Sequence, residues 1–405
     1  VLIDRLQGLD TSLTFIDAER CPYLQLRKYN KDQVNRTAVD VDYFRVLYEG
    51  LPDVGLNPAE TLIIYNDTLQ QGEIFSFKTA VENLSDYPMD SLLVHYVISD
   101  QSNRTTVETQ RVAPLPAGDT LHLNYQTNTR NLSGPIDFIV EVNPDRDQPE
   151  LLRFNNLANY RFKIEEDERN PLLAVTFDGV HIMNGDIVSS RPEILISLKD
   201  DNPFLLLEDT SLVKVYLTNP AGQQRQIYFA SDTARFYPPS NSKNRALVEV
   251  RPEFRGDGSY ELLVQAQDIT GNQSGELDYK VRFEIINKKS ISNVLNYPNP
   301  FSTSTQFVYT LTGDEPPAHF KIQIFTVSGR IVKDITEQEI GPLKVGTHRT
   351  DYTWDGTDTY GQRLANGVYL YRVVAKNANG EDYERYDTSV DGFFRENFGK
   401  LVILR

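Results

Sequence analysis

One thiol and five imidazoles are the groups in this 405-residue chain from which nucleophilic or soft-metal chemistry would have to be built. Cys21 stands in Arg20-Cys21-Pro22-Tyr23, and a nucleophilic thiol needs a lowered pKa and a positioned base. His95, His122, His181, His319 and His348 are scattered, none of them near Cys21 in sequence. Cys21 is therefore expected to be a small buried hydrophobe. No two histidines have the H-x-x-x-H spacing that puts two imidazoles on one helix face. A lone cysteine also excludes an internal disulfide and a multi-cysteine zinc site. Oxygen ligands are more concentrated. Asp145, Asp147 and Glu150, with Asn155-Asn156, crowd one loop, and Asp355-Gly356-Thr357-Asp358 crowds another. Neither has EF-hand spacing, and loop Asp and Asn commonly satisfy turn backbone instead. The expectation is no metal and no other cofactor, with Asp145, Asp147 and Glu150 the calcium candidates. Asp167-Glu168 and Asp200-Asp201-Asn202 are the acids that acid–base catalysis could use. Such work needs a cleft and one raised pKa, and adjacent loop acids are expected to be solvated. A Gly-rich phosphate loop, a G-x-S-x-G elbow and a basic stripe interleaved with aromatics are all missing from the sequence.

The elements around these residues read as strands. Twenty-two Tyr and 20 Phe, against two Met and one Trp, suit a pleated, half-buried surface. Forty-one basic against 57 acidic residues leave a net charge of −16. That sign repels phosphate backbones, so no nucleic-acid partner is expected. No apolar run reaches the ~18–20 residues of a membrane helix, so no transmembrane segment is expected. Period-two alternation marks Leu24 and Leu26, and again Phe44, Val46 and Tyr48. These are read as the last strands, within 1–50, of a domain whose body lies upstream. The chain begins at Val1 without Met and is read as a C-terminal part of a longer protein. A proline-bearing linker at 51–58 follows.

Three longer units come next. Residues 51–165 carry strands at 61–65, on Phe75, Phe77 and Val81, on Leu92, Val94, Tyr96 and Ile98, and on Ile136, Phe138, Val140 and Val142. Turn clusters such as Pro116-Ala117-Gly118-Asp119 separate them. Residues 166–289 repeat the scheme with Ile194, Ile196 and Leu198, and with Asp257-Gly258-Ser259-Tyr260 leading into Leu262 and Val264. Tyr260 is placed as the tyrosine corner of an immunoglobulin-like sandwich, its hydroxyl tied back to the backbone. Residues 290–405 hold Phe307, Tyr309 and Leu311, then Phe320, Ile322 and Ile324, a buried Trp354, a strand at 368–374 and a terminal strand at 401–404. The fold class is thus all-β, tandem immunoglobulin-like sandwiches preceded by the last strands of an upstream domain.

The last unit carries four motifs in order: Tyr297-Pro298-Asn299-Pro300-Phe301, the 325–330 segment F-T-V-S-G-R, Trp354-Asp355-Gly356 with the residues to Gly361, and Ala365-Asn366-Gly367-Val368-Tyr369-Leu370-Tyr371. The close is Gly399-Lys400-Leu401-Val402-Ile403-Leu404-Arg405. So ordered, they resemble the FlgD-type immunoglobulin-like domain and the C-terminal targeting domain of proteins exported by the Bacteroidetes type IX secretion system. A long insertion at 377–398 departs from that pattern. Residues 52–165 are similar to a CARDB-type adhesion module. The segments Ile16-Asp17-Ala18, Pro22-Tyr23-Leu24 and 43–50 resemble the stretch after the peptidase domain in gingipain-type (C25) proteins, a group that includes the PorU-like sortases. The catalytic His and Cys of that family have no counterpart here.

The resemblance implies a non-catalytic stalk with a targeting and docking module, the parent being a C25 peptidase or a PorU-like sortase. Tyr297, Pro298, Asn299, Pro300, Phe301, Gly367, Tyr369, Tyr371, Lys400, Leu401, Val402, Ile403, Leu404 and Arg405 would do the targeting and docking. Strands 320–325 and 401–404 would be read by a receptor through unpaired edge donors. The implied partners are the type IX translocon or an outer-membrane shuttle protein, with other surface proteins besides. The implied location is the cell surface, the outer membrane or the medium, reached through the periplasm. Asp-Thr/Ser-apolar triplets at Thr68, Ser91, Thr120 and Thr233 resemble O-glycosylation acceptors of that bacterial group. The alternative reading is a surface adhesion or carbohydrate-binding array.

Overall fold

The computed structural model describes residues 12–16, 23–28, 31–37, 42–48, 50–57, 67–231, 233–240, 243–385 and 398–405. Cys21 and the strand expected at 61–65 lie outside them. The chain divides into two compact units, Val1–Leu51 and Pro52–Arg405.

In the first unit the strand reading is corrected. Segments 23–28 and 42–48 carry no strand pairing, and Leu24, Leu26, Phe44, Val46 and Tyr48 are exposed. Alternation alone does not make a strand, because a ladder partner and a covering face are also needed. Neither is present among the described residues of this unit.

The second unit is all-β, a tandem of immunoglobulin-like sandwiches with three hydrophobic cores in succession. The first core runs from Val54 to Ile164 between two sheets. One sheet orders Val54–Asn57, Ile74–Asn83 and Thr120–Asn128. The other orders Thr68–Gln70, Leu157–Glu165, Gly134–Val142, Met89–Ser99 and Thr105–Leu115. Alternate residues of Met89–Ser99 point inward, so Leu92, Val94, Tyr96 and Ile98 are all buried. The second core, from Val175 to Ile285, is closed by two five-stranded sheets.

The third core, from Ile291 to Ile403, lies between two four-stranded sheets. One is ordered Gly346–Arg349, Gln306–Thr312, Ser290–Tyr297 and Glu384–Arg385. The other is ordered Ile331–Ile335, His319–Thr326, Gly367–Lys376 and Gly399–Ile403. The 377–398 insertion thus contributes a short edge strand, parallel to Ser290 and Ile291, beside the buried Tyr383, whose hydroxyl donates to the Glu315 carbonyl at 3.0 Å.

Equivalent central strands of the three sandwiches begin alike, at Gly134, Gly258 and Gly367, each with positive φ. Two residues on, Ile136, Tyr260 and Tyr369 enter the core. Tyr260 makes the expected corner, its hydroxyl donating to the Gly256 carbonyl at 3.0 Å. Tyr369 makes a second one to the Ala365 carbonyl, also at 3.0 Å. Both corners share a Gly-x-Tyr spacing, although the sequence marked only Tyr260 as one and Tyr369 as a targeting residue.

Candidate functional site

The motifs of the last unit, far apart in sequence, meet at one end of its sandwich. The final strand, Gly399–Ile403, pairs antiparallel with Gly367–Lys376, from Gly367 opposite Ile403 to Tyr371 opposite Gly399. Leu401 and Ile403 therefore face the core, and both are buried. Gly399 has no side chain for a local reason: a Cβ there would run into the Tyr371 ring. That ring is fixed by its hydroxyl, which donates to the Val294 carbonyl at 3.1 Å.

The outer edge of the final strand is where the expectation fails. The 297–301 motif lies along it and takes up its backbone groups. Asn299 Nδ2 donates to the Lys400 carbonyl at 3.0 Å, and the Val402 amide donates to Asn299 Oδ1 at 3.0 Å. The Phe301 amide donates to the Val402 carbonyl at 3.0 Å, and the Leu404 amide donates to the Phe301 carbonyl at 2.9 Å. The edge expected to offer unpaired donors is thus largely satisfied within the chain. Strand 320–325 is no edge either, since His319–Thr326 is paired on both sides, by Ile331–Ile335 and by Gly367–Lys376. Prolines at 298 and 300 suit this strip, which runs beside the strand without needing their missing donors.

Beneath the strip, Phe301 packs on Trp354 with ring centroids 5.6 Å apart. Trp354 is fully buried. Its Nε1 donates to the Thr357 carbonyl at 2.8 Å, and its backbone exchanges two hydrogen bonds with Thr305. Arg405 closes the assembly. Its guanidinium donates to the carbonyls of Asp355 at 2.6 Å and Leu364 at 2.9 Å. Its backbone is clipped by the Asn366 side chain, at 3.1 and 3.0 Å. Hydrogen bonds from Thr357, with the Arg405 charge assisting, hold the Asp355 carboxyl below the usual range.

Gly356 is required by space as well as by its φ of +76. A Cβ there would lie 2.6 Å from Arg405 Nη2, 3.3 Å from Ile403 Cδ1 and 3.4 Å from Phe301 Cε2. The assembly leaves some side chains outward. Tyr297 is 62% exposed and Leu404 63% exposed, and Lys400 is exposed as well. Arg349 lies over the Tyr297 ring at 5.8 Å.

In the candidate calcium loop two of the three acids have protein partners. Asp147 is held by Arg111 in a two-point ion pair at 2.9 and 3.0 Å, which keeps its carboxyl below the usual range. Glu150 is buried, and burial pushes its carboxyl up while Asn156 Nδ2 donates to Oε1 at 2.6 Å. Among the described residues, the trio of acidic side chains whose oxygens gather within 4.8 Å is instead Asp167, Asp200 and Asp268. Asp200 corrects the solvated-loop reading: it is 3% exposed, whereas its neighbour Asp201 is exposed. Burial, with the nearby Asp167 and Asp268 charges, pushes the Asp200 carboxyl up to about 6. Asp268 is not among the residues the sequence singled out, since nothing in its local pattern points to Asp167 or Asp200, roughly a hundred and roughly seventy residues away respectively.

Of the glycosylation candidates, Thr68, Thr120 and Thr233 are exposed and Ser91 is half-buried. Among the described residues no helix is long and apolar enough to cross a membrane.

The fold and this end-of-sandwich assembly define a chain of immunoglobulin-like β-sandwiches ending in an immunoglobulin-like module. Residues 297–379 match the FlgD Ig-like domain family. No curated protein matches the chain. The crystal structure of dimeric latent PorU from Porphyromonas gingivalis aligns with 88% of this chain and 34% of its own, at 14% identity and a TM-score of 0.24. The chain thus spans about a third of that protein's length. A CARDB domain from Pyrococcus furiosus, crystallised in complex with di-metal ions, aligns over 99% of its length and 31% of this chain. Its identity is 18% and its TM-score 0.24.

Proposed function

We propose that residues 290–405 are an export-targeting and docking module, and that the sandwiches before it are a non-catalytic stalk. The parent is a large protein exported by a type IX secretion system to the cell surface or medium. In this reading the parent is a gingipain-type peptidase or a PorU-like sortase whose catalytic domain precedes the stalk. The observation that carries the proposal is the convergence of Asn299, Phe301, Trp354, Gly356, Asn366 and Arg405 on the final strand.

That convergence gives the terminal residues a fixed shape, so a receptor meets a preorganised surface and the cost of ordering a loose tail on binding is avoided. Because the outer edge is already bonded, recognition runs through the outward side chains of Tyr297, Lys400 and Leu404 and the surrounding loops. Strand addition at that edge is not required. A translocon or an outer-membrane shuttle protein is the partner this surface serves.

The test is removal of residues 290–405 from the parent in a host with a type IX system. The expected result is periplasmic retention, with residues 52–289 still giving a cooperative β-sheet melting transition by circular dichroism. Ordinary surface display of the shortened protein would refute the targeting role.

A further inference from the structure

A second site lies where the first sandwich of the tandem meets the next. Asp167 sits in the segment joining the Leu157–Glu165 strand to the Leu172–Phe177 strand. Asp200 follows directly on Ile194–Lys199, and Asp268 closely follows Gly258–Ala266. One carboxylate oxygen from each lies within 4.8 Å of the other two.

Three like charges so close repel one another, and desolvation adds to the cost unless something compensates. Nothing cationic in the described protein does so. The basic side chains close to the trio in sequence, Arg169 and Lys199, pair with Asp201 at 3.9 and 3.4 Å. Among the described residues no Lys or Arg pairs with Asp167, Asp200 or Asp268. A separate observation points the same way. Asp200 is 97% buried, and its Oδ2 has no hydrogen-bond partner, nor has the buried Oδ2 of Asp167. A buried carboxylate oxygen needs a donor or a cation to offset its desolvation, and a bound cation would supply that to both.

The other polar contacts hold the trio in place. Asp268 Oδ1 accepts from the amides of Gly271 and Asn272 at 2.7 and 2.9 Å. Asn272 Nδ2 reaches the Asp167 carbonyl at 2.7 Å, tying the joining segment to the Asp268 turn. From the first sandwich, Gln71 accepts from the Asp167 amide at 3.1 Å and from Asn202 Nδ2 at 3.0 Å.

We propose that Asp167, Asp200 and Asp268 form a calcium site that fastens the segment between the first two sandwiches of the tandem. The ligand set is all oxygen and carries up to three negative charges, which selects a hard dication. Calcium holds oxygens at about 2.3–2.6 Å, so two ligands on opposite sides of it stand up to roughly 5 Å apart, and the observed spread fits. Water completes the coordination. Occupied, the site ties the end of one sandwich to two loops of the next and stiffens the joint.

The experiment titrates calcium chloride into the chelator-treated 405-residue chain at pH 7.5 by isothermal calorimetry. Hydrogen exchange of residues 165–171, with and without the ion, is followed in parallel. The expected result is binding with a dissociation constant of roughly 10−4–10−3 M or tighter, and slower exchange at 165–171. D200N and D268N should each weaken binding at least about tenfold, while D201N leaves it unchanged. No heat and no exchange response at about 10 mM calcium would overturn the proposal. So would wild-type affinity in folded D200N and D268N variants, or calcium protection confined to segments other than 165–171 and the loops of Asp200 and Asp268. The exchange map locates the ion in the wild-type protein even if a variant fails to fold.

Discussion

Replacing Asn299 by alanine removes both side-chain hydrogen bonds that hold the middle of the final strand, at 3.0 Å each. A net hydrogen bond is worth about 0.5–1.5 kcal/mol, and exposed ones sit at the low end. The strip should therefore loosen by roughly 1–2 kcal/mol. The Phe301 backbone bonds to Val402 and Leu404 remain, so the strand detaches at one point only. Amide hydrogen exchange read by mass spectrometry over 398–405 resolves this. A loss of 1–2 kcal/mol corresponds to exchange about 5–30 times faster where opening is local. The Val402 amide, which donates to Asn299, should show that acceleration. Leu401 and Ile403, which face the neighbouring strand, should not. A Val402 amide exchanging at the wild-type rate would refute the reasoning, and so would equal acceleration at Leu401 and Ile403.

Three further outcomes follow from the same geometry. Gly356→Ala forces a left-handed backbone on a residue with a Cβ and displaces the Arg405 guanidinium from the Asp355 carbonyl. A loss of about 1–3 kcal/mol in the last sandwich is expected by chemical denaturation, and wild-type stability would count against the close approach. Tyr260→Phe and Tyr369→Phe each remove one corner hydrogen bond. Each should cost about 1 kcal/mol, and the double variant should show the sum because the two lie in different cores. Burial pushes the phenols of Tyr96, Tyr125 and Tyr309 up to about 12. A raised folded pKa means the native state holds these protons more tightly than the unfolded chain. Their contribution is therefore intact below about pH 10 and is lost as pH rises from about 10 through 12, by up to roughly 3 kcal/mol per phenol. Tyrosinate absorbance should rise together with unfolding in that window, and smooth titration of all tyrosines near pH 10 in a folded protein would contradict it.

The sandwich architecture was legible because alternation over long strands such as Ile74–Asn83 and Met89–Ser99 coincides with burial on every inward residue. The same signal misled at Leu24, Phe44 and Tyr48, where no neighbouring strand exists among the described residues to make a sheet of the pattern. Sequence order marked the 297–301, 354–361 and 365–371 motifs as special but not as one object. Their joining depends on contacts spanning up to about a hundred residues, such as Asn299 to Val402, and such contacts leave no local trace. For the same reason Asp147, whose neighbours in sequence suggest a cation loop, turned out to serve Arg111 thirty-six residues away. Asp200, read as a solvated loop acid, is buried beside Asp268, which the sequence did not single out, and the half-buried Asp167.

Under the proposed targeting role, the capped end of the last sandwich is read from outside through its outward side chains. The decisive measurement exchanges Tyr297, Lys400 and Leu404 for alanine together, in the proposed type IX-exported protein. These side chains are exposed and carry none of the hydrogen bonds that latch the strand. Surface display is measured by protease accessibility on intact cells, alongside the melting temperature of the purified 405-residue chain. The expected result is an unchanged melting temperature with the protein held in the periplasm. Full surface display of a stably folded triple variant would contradict it.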